Sequence, residues 1–146
     1  MTAMVWYRAA RRLYLLGVPV LPRLIYLLTR LLFACSVPFT AEIGANTRLG
    51  YGGLGVVIHA DTVIGEGCLV SHHVTIGGLA HRLNRPRLGD RVYVGTAAVI
   101  LGSVTIGDGA VIGANAVVLD SVPAGGLAVG VPAQVVKTGV QSKDYL

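Results

Sequence analysis

Aliphatic residues recur along most of this 146-residue chain with a period of six. Nine of the eleven steps in the series span six residues, one spans nine and one spans twelve. The series consists of Ile43, Leu49, Ile58, Ile64, Val70, Ile76, Leu88, Val94, Ile100, Ile106, Ile112 and Val118. A period of six fits neither an α-helix nor a simple hairpin. It predicts a short strand followed by a corner, repeated along the chain.

Two further positions follow the same period. Glycine often comes directly after the aliphatic residue, and a small or β-branched residue comes four places after it. Three units would close one triangular coil of about 18 residues, with aliphatic side chains stacked inside and small ones in the crowded corners. Glycine and asparagine would relieve strain there, because they tolerate positive φ. We therefore predict an all-β solenoid of triangular cross-section over residues 41–137, with a loop at 78–87.

The N-terminal segment, residues 1–40, has a different character. Its apolar run, residues 13–34, is interrupted by Pro19, Pro22, Arg23 and Arg30, which argues against a membrane span. We predict two short helices, about 3–17 and 22–34, broken between the prolines. They would pack on the first coil or on each other in an oligomer, or would lie on an anionic membrane surface. Residues 138–146 are predicted to form a C-terminal tail.

The formal net charge of +5 belongs to the N-terminal segment. Residues 1–40 contain arginines and no acidic residue, whereas residues 41–146 contain seven basic and seven acidic residues. Because the body lacks a basic stripe, nucleic acid is not an expected partner. Cys35 and Cys68 have neither metal-ligand nor disulfide spacing, which fits a reducing cytoplasm, and Cys68 falls at a core position. We expect a cytoplasmic protein, peripheral at the inner face of the membrane if the helices contact lipid.

Two segments carry further motifs. One is IGDGAVIGANAVVLDSVPAGGLAVGVPAQVVK (106–137), and the other is VTIGG (74–78), a loop, and PRLGDRVYVG (86–95). Both segments resemble hexapeptide-repeat acetyltransferases of the serine acetyltransferase type. The resemblance implies a left-handed parallel β-helix, a homotrimer, and acetyl-CoA in the groove between neighbouring subunits. By position, the residues expected to contact acetyl-CoA are Gly77, Gly78, Thr96, Ala114 and Lys137.

The chain departs from serine acetyltransferases at three places. Their Asp-His pair corresponds to Tyr51-Gly52, their histidine before the loop proline corresponds to Arg85, and an upstream aspartate corresponds roughly to Val37. The segment LGYGGLGVVIH (49–59) resembles acetyltransferases of exopolysaccharide, capsule or O-antigen biosynthesis more closely. A sugar hydroxyl in polysaccharide biosynthesis is therefore the first predicted acceptor. Serine, in cysteine biosynthesis, is the alternative, and a non-catalytic β-helix scaffold is a further one.

Acyl transfer to a hydroxyl needs a general base, for which histidine is the usual choice. The candidates, in the order in which we favour them, are His59, His73, His72 and His81. Counting units of six places His59 on the corner from which the loop departs. The same count places His72 and His73 at a second corner, above the insertion that contains Tyr51.

The acceptor is expected to contact Tyr51 and the loop arginines Arg82 and Arg85, because guanidinium groups bind carboxylates and phosphates. A metal-dependent hydratase like the γ-class carbonic anhydrases would need three histidines around one metal, and their spacing is absent. No metal is expected.

Overall fold

The computed structural model describes residues 2–80 and 84–145 as two helices followed by a three-sided parallel β-solenoid. The helices are α1 (Ala3–Leu15) and α2 (Leu21–Phe33). The strands are β1 (Glu42–Ile43), β2 (Arg48–Leu49), β3 (Val57–Ile58), β4 (Val63–Ile64), β5 (Leu69–Val70), β6 (Thr75–Gly77), β7 (Arg87–Leu88), β8 (Tyr93–Val94), β9 (Val99–Leu101), β10 (Thr105–Ile106), β11 (Val111–Ile112), β12 (Val117–Val118), β13 (Leu127–Gly130) and β14 (Ala133–Lys137).

Each face of the prism is one sheet, in which a strand pairs with the strand one coil away. The three orders are β1-β4-β7-β10, β3-β6-β9-β12 and β2-β5-β8-β11-β13-β14. On one face Ile58 pairs with Ile76, and Ile76 pairs with Ile100, all in parallel register. The predicted stacking of residues three units apart is therefore confirmed.

Alternation along each short strand builds the core. The aliphatic position points inward and is buried throughout, and the small position four places later is buried as well. Cys68 occupies such a small position and is only 1% exposed, as predicted, and Cys35 is also buried. Burial raises the pKa of both thiols above the usual value for cysteine.

Glycine and asparagine adopt positive φ in the corners, as predicted, for example at Gly67 and Gly109, but the glycine that directly follows the aliphatic residue has another role. Positive φ occurs three places after the aliphatic residue, as at Asn46 and Asn115, and not at the glycine that directly follows it. That glycine is needed because a Cβ would meet the backbone of the next coil. At Gly95 it would lie 2.6 Å from the nitrogen of Ala114, and at Gly107 it would lie 2.3 Å from the nitrogen of Ala124.

Helix α1 closes the first coil of the prism. The buried hydroxyl of Tyr7 donates to the carbonyl of Ala41 (2.6 Å) and accepts from the amide of Ile43 (3.2 Å). The Arg8 guanidinium donates to the carbonyls of Ile43 and Gly44. The predicted packing of the helices on the first coil is therefore confirmed. Among the described residues, no helix is long and apolar enough to cross a bilayer.

The other end of the solenoid is closed by a hairpin that the six-residue period did not predict. Strand β14 pairs antiparallel with β13, whereas all other strand pairs among the described residues are parallel. The predicted C-terminal tail packs against the last coil, since the amide of Val140 donates to the carbonyl of Gly125 (3.0 Å) and Ser142 is buried.

Candidate functional site

Two edges of the prism hold the predicted site residues. We call the corner after β3, β6 and β9 the loop edge; it comprises residues 59–61, 77–78 and 102–103, and the inserted loop leaves it. We call the corner after β2, β5, β8 and β11 the stacking edge; it comprises residues 50–53, 71–73, 95–97 and 113–115. The sheets lie between them, so one protomer does not bring the two edges together.

His59 lies on the loop edge, directly after a core isoleucine. Its amide donates to the carbonyl of Ile76 (2.8 Å), which places it one coil before Gly77, as predicted. The side chain is 35% exposed. Its Nδ1 accepts a hydrogen bond from the amide of Asp61 (3.2 Å) and lies 3.7 Å from the Asp61 carboxylate.

Arg85 contacts the other side of the same imidazole. Its Nε donates to His59 Nε2 over 3.2 Å. Arginine has no acceptor atom, so Nε2 accepts through its lone pair in this contact. The Asp61 amide is likewise a donor to Nδ1, and a neutral imidazole has a single acceptor nitrogen, so only one of the two hydrogen bonds forms at a time. In the tautomer with its lone pair on Nε2, the Asp61 carboxylate lies 3.7 Å from the protonated Nδ1, and this is the arrangement of a general base.

A polar cleft of about 480 Å³ opens beside this histidine. Asp61 and Arg85, which both contact His59, line it together with Asn84, Arg87, Ser103, Val104 and Thr105. A Cβ at Gly78 would lie 2.9 Å from the Arg85 guanidinium, so the absence of a side chain there lets the arginine reach His59. The loop edge therefore combines a base candidate, a carboxylate and cations around one cleft.

The stacking edge forms a continuous column. The Tyr51 ring, which is 83% exposed, lies 4.8 Å from the ring of His72. One coil further on, the amide of Ala97 donates to the carbonyl of His72 (3.1 Å), and after that the amide of Asn115 donates to the carbonyl of Thr96 (2.8 Å). The structure thus brings the predicted acceptor residue Tyr51, the base candidate His72 and two of the predicted cofactor contacts, Thr96 and Ala114, onto one edge.

The two histidines of this edge differ in environment. Nδ1 of His72 is buried and has no hydrogen-bond partner among residues 2–80 and 84–145. A buried polar atom without a partner costs roughly 1–3 kcal/mol. His73 is exposed, has a φ of 57°, and lies over Gly55, where a Cβ would meet its Nδ1.

The remaining predicted residues are more scattered. Ala114 is exposed on the stacking edge, and Lys137 is exposed on β14, opposite Leu127 at the C-terminal end of the same sheet. Gly77 and Gly78 lie on the loop edge, away from Thr96 and Ala114. His81 and Arg82 lie outside the described residues.

Asp61 and Ser103 are site residues that the sequence analysis did not single out. The spacing His-x-Asp at 59–61 is the signal that would have found Asp61, because two residues apart across a corner are close enough for their side chains to meet. Ser103 lines the cleft only because the coil after the loop returns beneath it, so no local signal marks it.

Comparison with known proteins finds a matching family and similar proteins. Residues 85–120 match the family described as Bacterial transferase hexapeptide (six repeats). A serine acetyltransferase of Synechococcus elongatus is 39% identical over 142 residues, which are 95% of this chain and 58% of that enzyme. Soybean serine acetyltransferase apoenzyme superposes with a TM-score of 0.85 at 35% identity, covering 92% of this chain and 56% of that one.

A second solved structure, serine acetyltransferase from Brucella abortus in complex with coenzyme A, superposes with a TM-score of 0.88 at 28% identity, over 95% of this chain and 56% of that one. The chain is a serine acetyltransferase-like hexapeptide-repeat protein.

The serine acetyltransferase-like chain has the left-handed parallel β-helix that the family resemblance implies. It spans a little over half the length of these relatives, 58% of the Synechococcus enzyme and 56% of the soybean one. These relatives are all named serine acetyltransferases.

Proposed function

We propose that this chain is an acetyl-CoA-dependent O-acetyltransferase that works as a homotrimer. The observation that carries the proposal is the imidazole of His59, held between Asp61 and Arg85 at the cleft where the inserted loop leaves the prism. Its fold and its relatives support acetyl transfer as the reaction class.

Acetyl-CoA would bind along the stacking edge. The small side chains of Ala97 and Ala114 leave this edge open, and Ala114 is exposed. Lys137 supplies a cation for the phosphates at the C-terminal end of the same sheet. The Brucella relative was solved with coenzyme A, which supports the choice of ligand. In a trimer, the stacking edge of one subunit would face the loop edge of its neighbour, so that each groove receives residues from both.

His59 would act as the base. As the acceptor oxygen bonds to the thioester carbonyl carbon, Nε2 takes the hydroxyl proton, and the Asp61 carboxylate stabilises the imidazolium that results. The tetrahedral intermediate then expels the thiolate of coenzyme A, which receives the proton from His59. Backbone amides of Gly77 or Gly78 are the proposed donors to the oxyanion.

Arg85 gives a reason to prefer an acceptor that carries a carboxylate. In the structure the Arg85 guanidinium donates a hydrogen bond to Nε2 of His59, so the acceptor hydroxyl must displace Arg85 before Nε2 can take its proton. A carboxylate that drew Arg85 away would form a charge-assisted pair and would free the base in the same event. L-Serine has its carboxylate two carbons from its hydroxyl, and we propose it as the acceptor.

A second candidate is a sugar hydroxyl in polysaccharide biosynthesis. The observation in its favour is that Tyr51 and Gly52, which correspond to the acid–base pair of serine acetyltransferases, bring no carboxylate or imidazole to the stacking edge. An exposed tyrosine ring there offers a surface on which a sugar can stack.

The test measures release of the coenzyme A thiol from acetyl-CoA, first with L-serine and then with nucleotide-linked and lipid-linked sugars. We expect release with L-serine. His59→Ala should lower kcat by about 10²–10⁴-fold, because a general base contributes that much. His73→Ala, on the other edge, is the matched control and should keep kcat near that of the wild type.

Loss in His73→Ala with full activity in His59→Ala would overturn the assignment of the base. Turnover with sugars alone would overturn serine as the acceptor. A chain that does not bind acetyl-CoA at all would favour the scaffold alternative.

A further inference from the structure

Helix α2 exposes a leucine face that no described part of the chain covers. Leu24, Leu28 and Leu31 have the spacing of one helix face and are 49%, 47% and 80% exposed. The flanking positions Leu21, Leu27 and Leu32 are also exposed, at 43%, 48% and 59%. We call these six residues the leucine face.

The leucine face is not the side by which α2 packs on the protein. The buried side carries Pro22 and Thr29, and Tyr26 binds the rest of the chain through a hydrogen bond between its hydroxyl and that of Ser36 (2.8 Å). Because α2 already packs on the rest of the chain through its other side, the folding of this chain does not explain the exposed leucines. A contiguous apolar surface of this kind marks an interaction site.

Cations border the leucine face, and acids are absent from the segment. Arg23 and Arg30 lie one turn before and one turn after Leu27, and both are exposed. No acidic residue precedes Glu42. The face therefore combines a broad apolar surface with a row of positive charge along one border.

We propose that the leucine face lies on an anionic lipid surface, with the helix parallel to the membrane plane. With 13 residues, α2 is about 20 Å long, which is too short to cross a bilayer but sufficient to rest in its interface. A second copy of the same face fits less well, because two such faces would bring their arginines together with no carboxylate between them. Anionic headgroups complement those arginines, and the acyl region receives the leucines.

Co-sedimentation of the full chain with lipid vesicles tests the proposal. Phosphatidylcholine vesicles are compared with phosphatidylcholine–phosphatidylglycerol vesicles, and light scattering records the mass of the protein without lipid. We expect binding to the anionic vesicles only. Leu24→Ser/Leu28→Ser/Leu31→Ser should abolish it, and Arg23→Gln/Arg30→Gln should weaken it roughly thirtyfold.

The matched control is Val131→Ser/Val136→Ser, which removes exposed apolar side chains (71% and 60%) from the opposite end of the chain and should leave vesicle binding unchanged. His59→Ala should bind vesicles like the wild type, so failure of the proposed enzymatic function does not affect this test. Circular dichroism checks that each variant folds.

Three results would overturn the proposal. The first is a wild type that stays in the supernatant with anionic vesicles. The second is equal binding to neutral vesicles with no effect of the arginine substitutions. The third is a leucine variant that only lowers the mass of the protein in solution, which would identify a second copy as the occupant of the face.

Discussion

Substituting Gly107 by alanine tests why glycine recurs after the aliphatic residue of the repeat. A Cβ at this position would lie 2.3 Å from the nitrogen and 2.6 Å from the Cα of Ala124, both backbone atoms of the next coil. The two coils would have to separate by about 1 Å to remove this overlap, because ordinary van der Waals contacts begin near 3.4 Å. That movement strains the hydrogen bond from the Gly107 amide to the carbonyl of Val122 (2.8 Å).

The magnitude follows from these contacts. Overpacking costs about 1–3 kcal/mol, and weakening of the inter-coil hydrogen bonds adds about 1 kcal/mol each. We expect Gly107→Ala to lower the free energy of unfolding by about 3–5 kcal/mol. Gly109→Ala is the matched control, because Gly109 has a φ of +66° and open space around its Cβ position. It should cost only about 1 kcal/mol, since left-handed strain is partly offset by a less flexible unfolded chain.

Guanidinium unfolding monitored by circular dichroism measures both variants. A Gly107→Ala protein as stable as the wild type, or less destabilised than Gly109→Ala, would refute the close contact between coils as the reason for glycine.

Two other predictions concern the buried polar groups. Tyr7→Phe removes the hydroxyl that donates to the carbonyl of Ala41 and accepts from the amide of Ile43. Urea unfolding should show that the free energy of unfolding falls by about 2–4 kcal/mol. A fall below about 0.5 kcal/mol, which is what a surface substitution costs, would contradict the role of Tyr7 as a cap. Burial raises the pKa of the thiols of Cys35 and Cys68 above 9.0, and that of the Tyr7 phenol above 10.0. The folded chain therefore holds these protons more tightly than the unfolded chain, so stability is complete below pH 9.0 and falls as the pH rises further. Unfolding at a series of alkaline pH values should show this fall, and a rise in stability would contradict it.

The register of the solenoid was predictable because each unit of six repeats the same inward position, so counting units of three identifies stacked residues. Ile58 over Ile76, and His72 over the Tyr51 insertion, follow from that count. The position of positive φ was not predictable in the same way. Arg91 and Ala97 occupy it as readily as Asn46, so residue type gives no consistent signal there.

The candidate site was only partly predictable for a related reason. Counting units places a residue on an edge, but it does not say which side chain of an inserted loop returns to that edge. The contact of Arg85 with His59 depends on how the loop folds and on the missing side chain of Gly78. The Tyr7 cap likewise depends on how helix α1 docks on the first coil. The six-residue period begins only after that helix, so it does not predict the docking.

The most direct test of the central claim is thiol release by the wild-type chain, with acetyl-CoA alone and then with L-serine added. We expect release that depends on the acceptor and yields O-acetylserine in equal amount. Acetyl-CoA left intact in the presence of both L-serine and the sugar panel, by a chain that is folded, would contradict the assignment of this protein as an O-acetyltransferase.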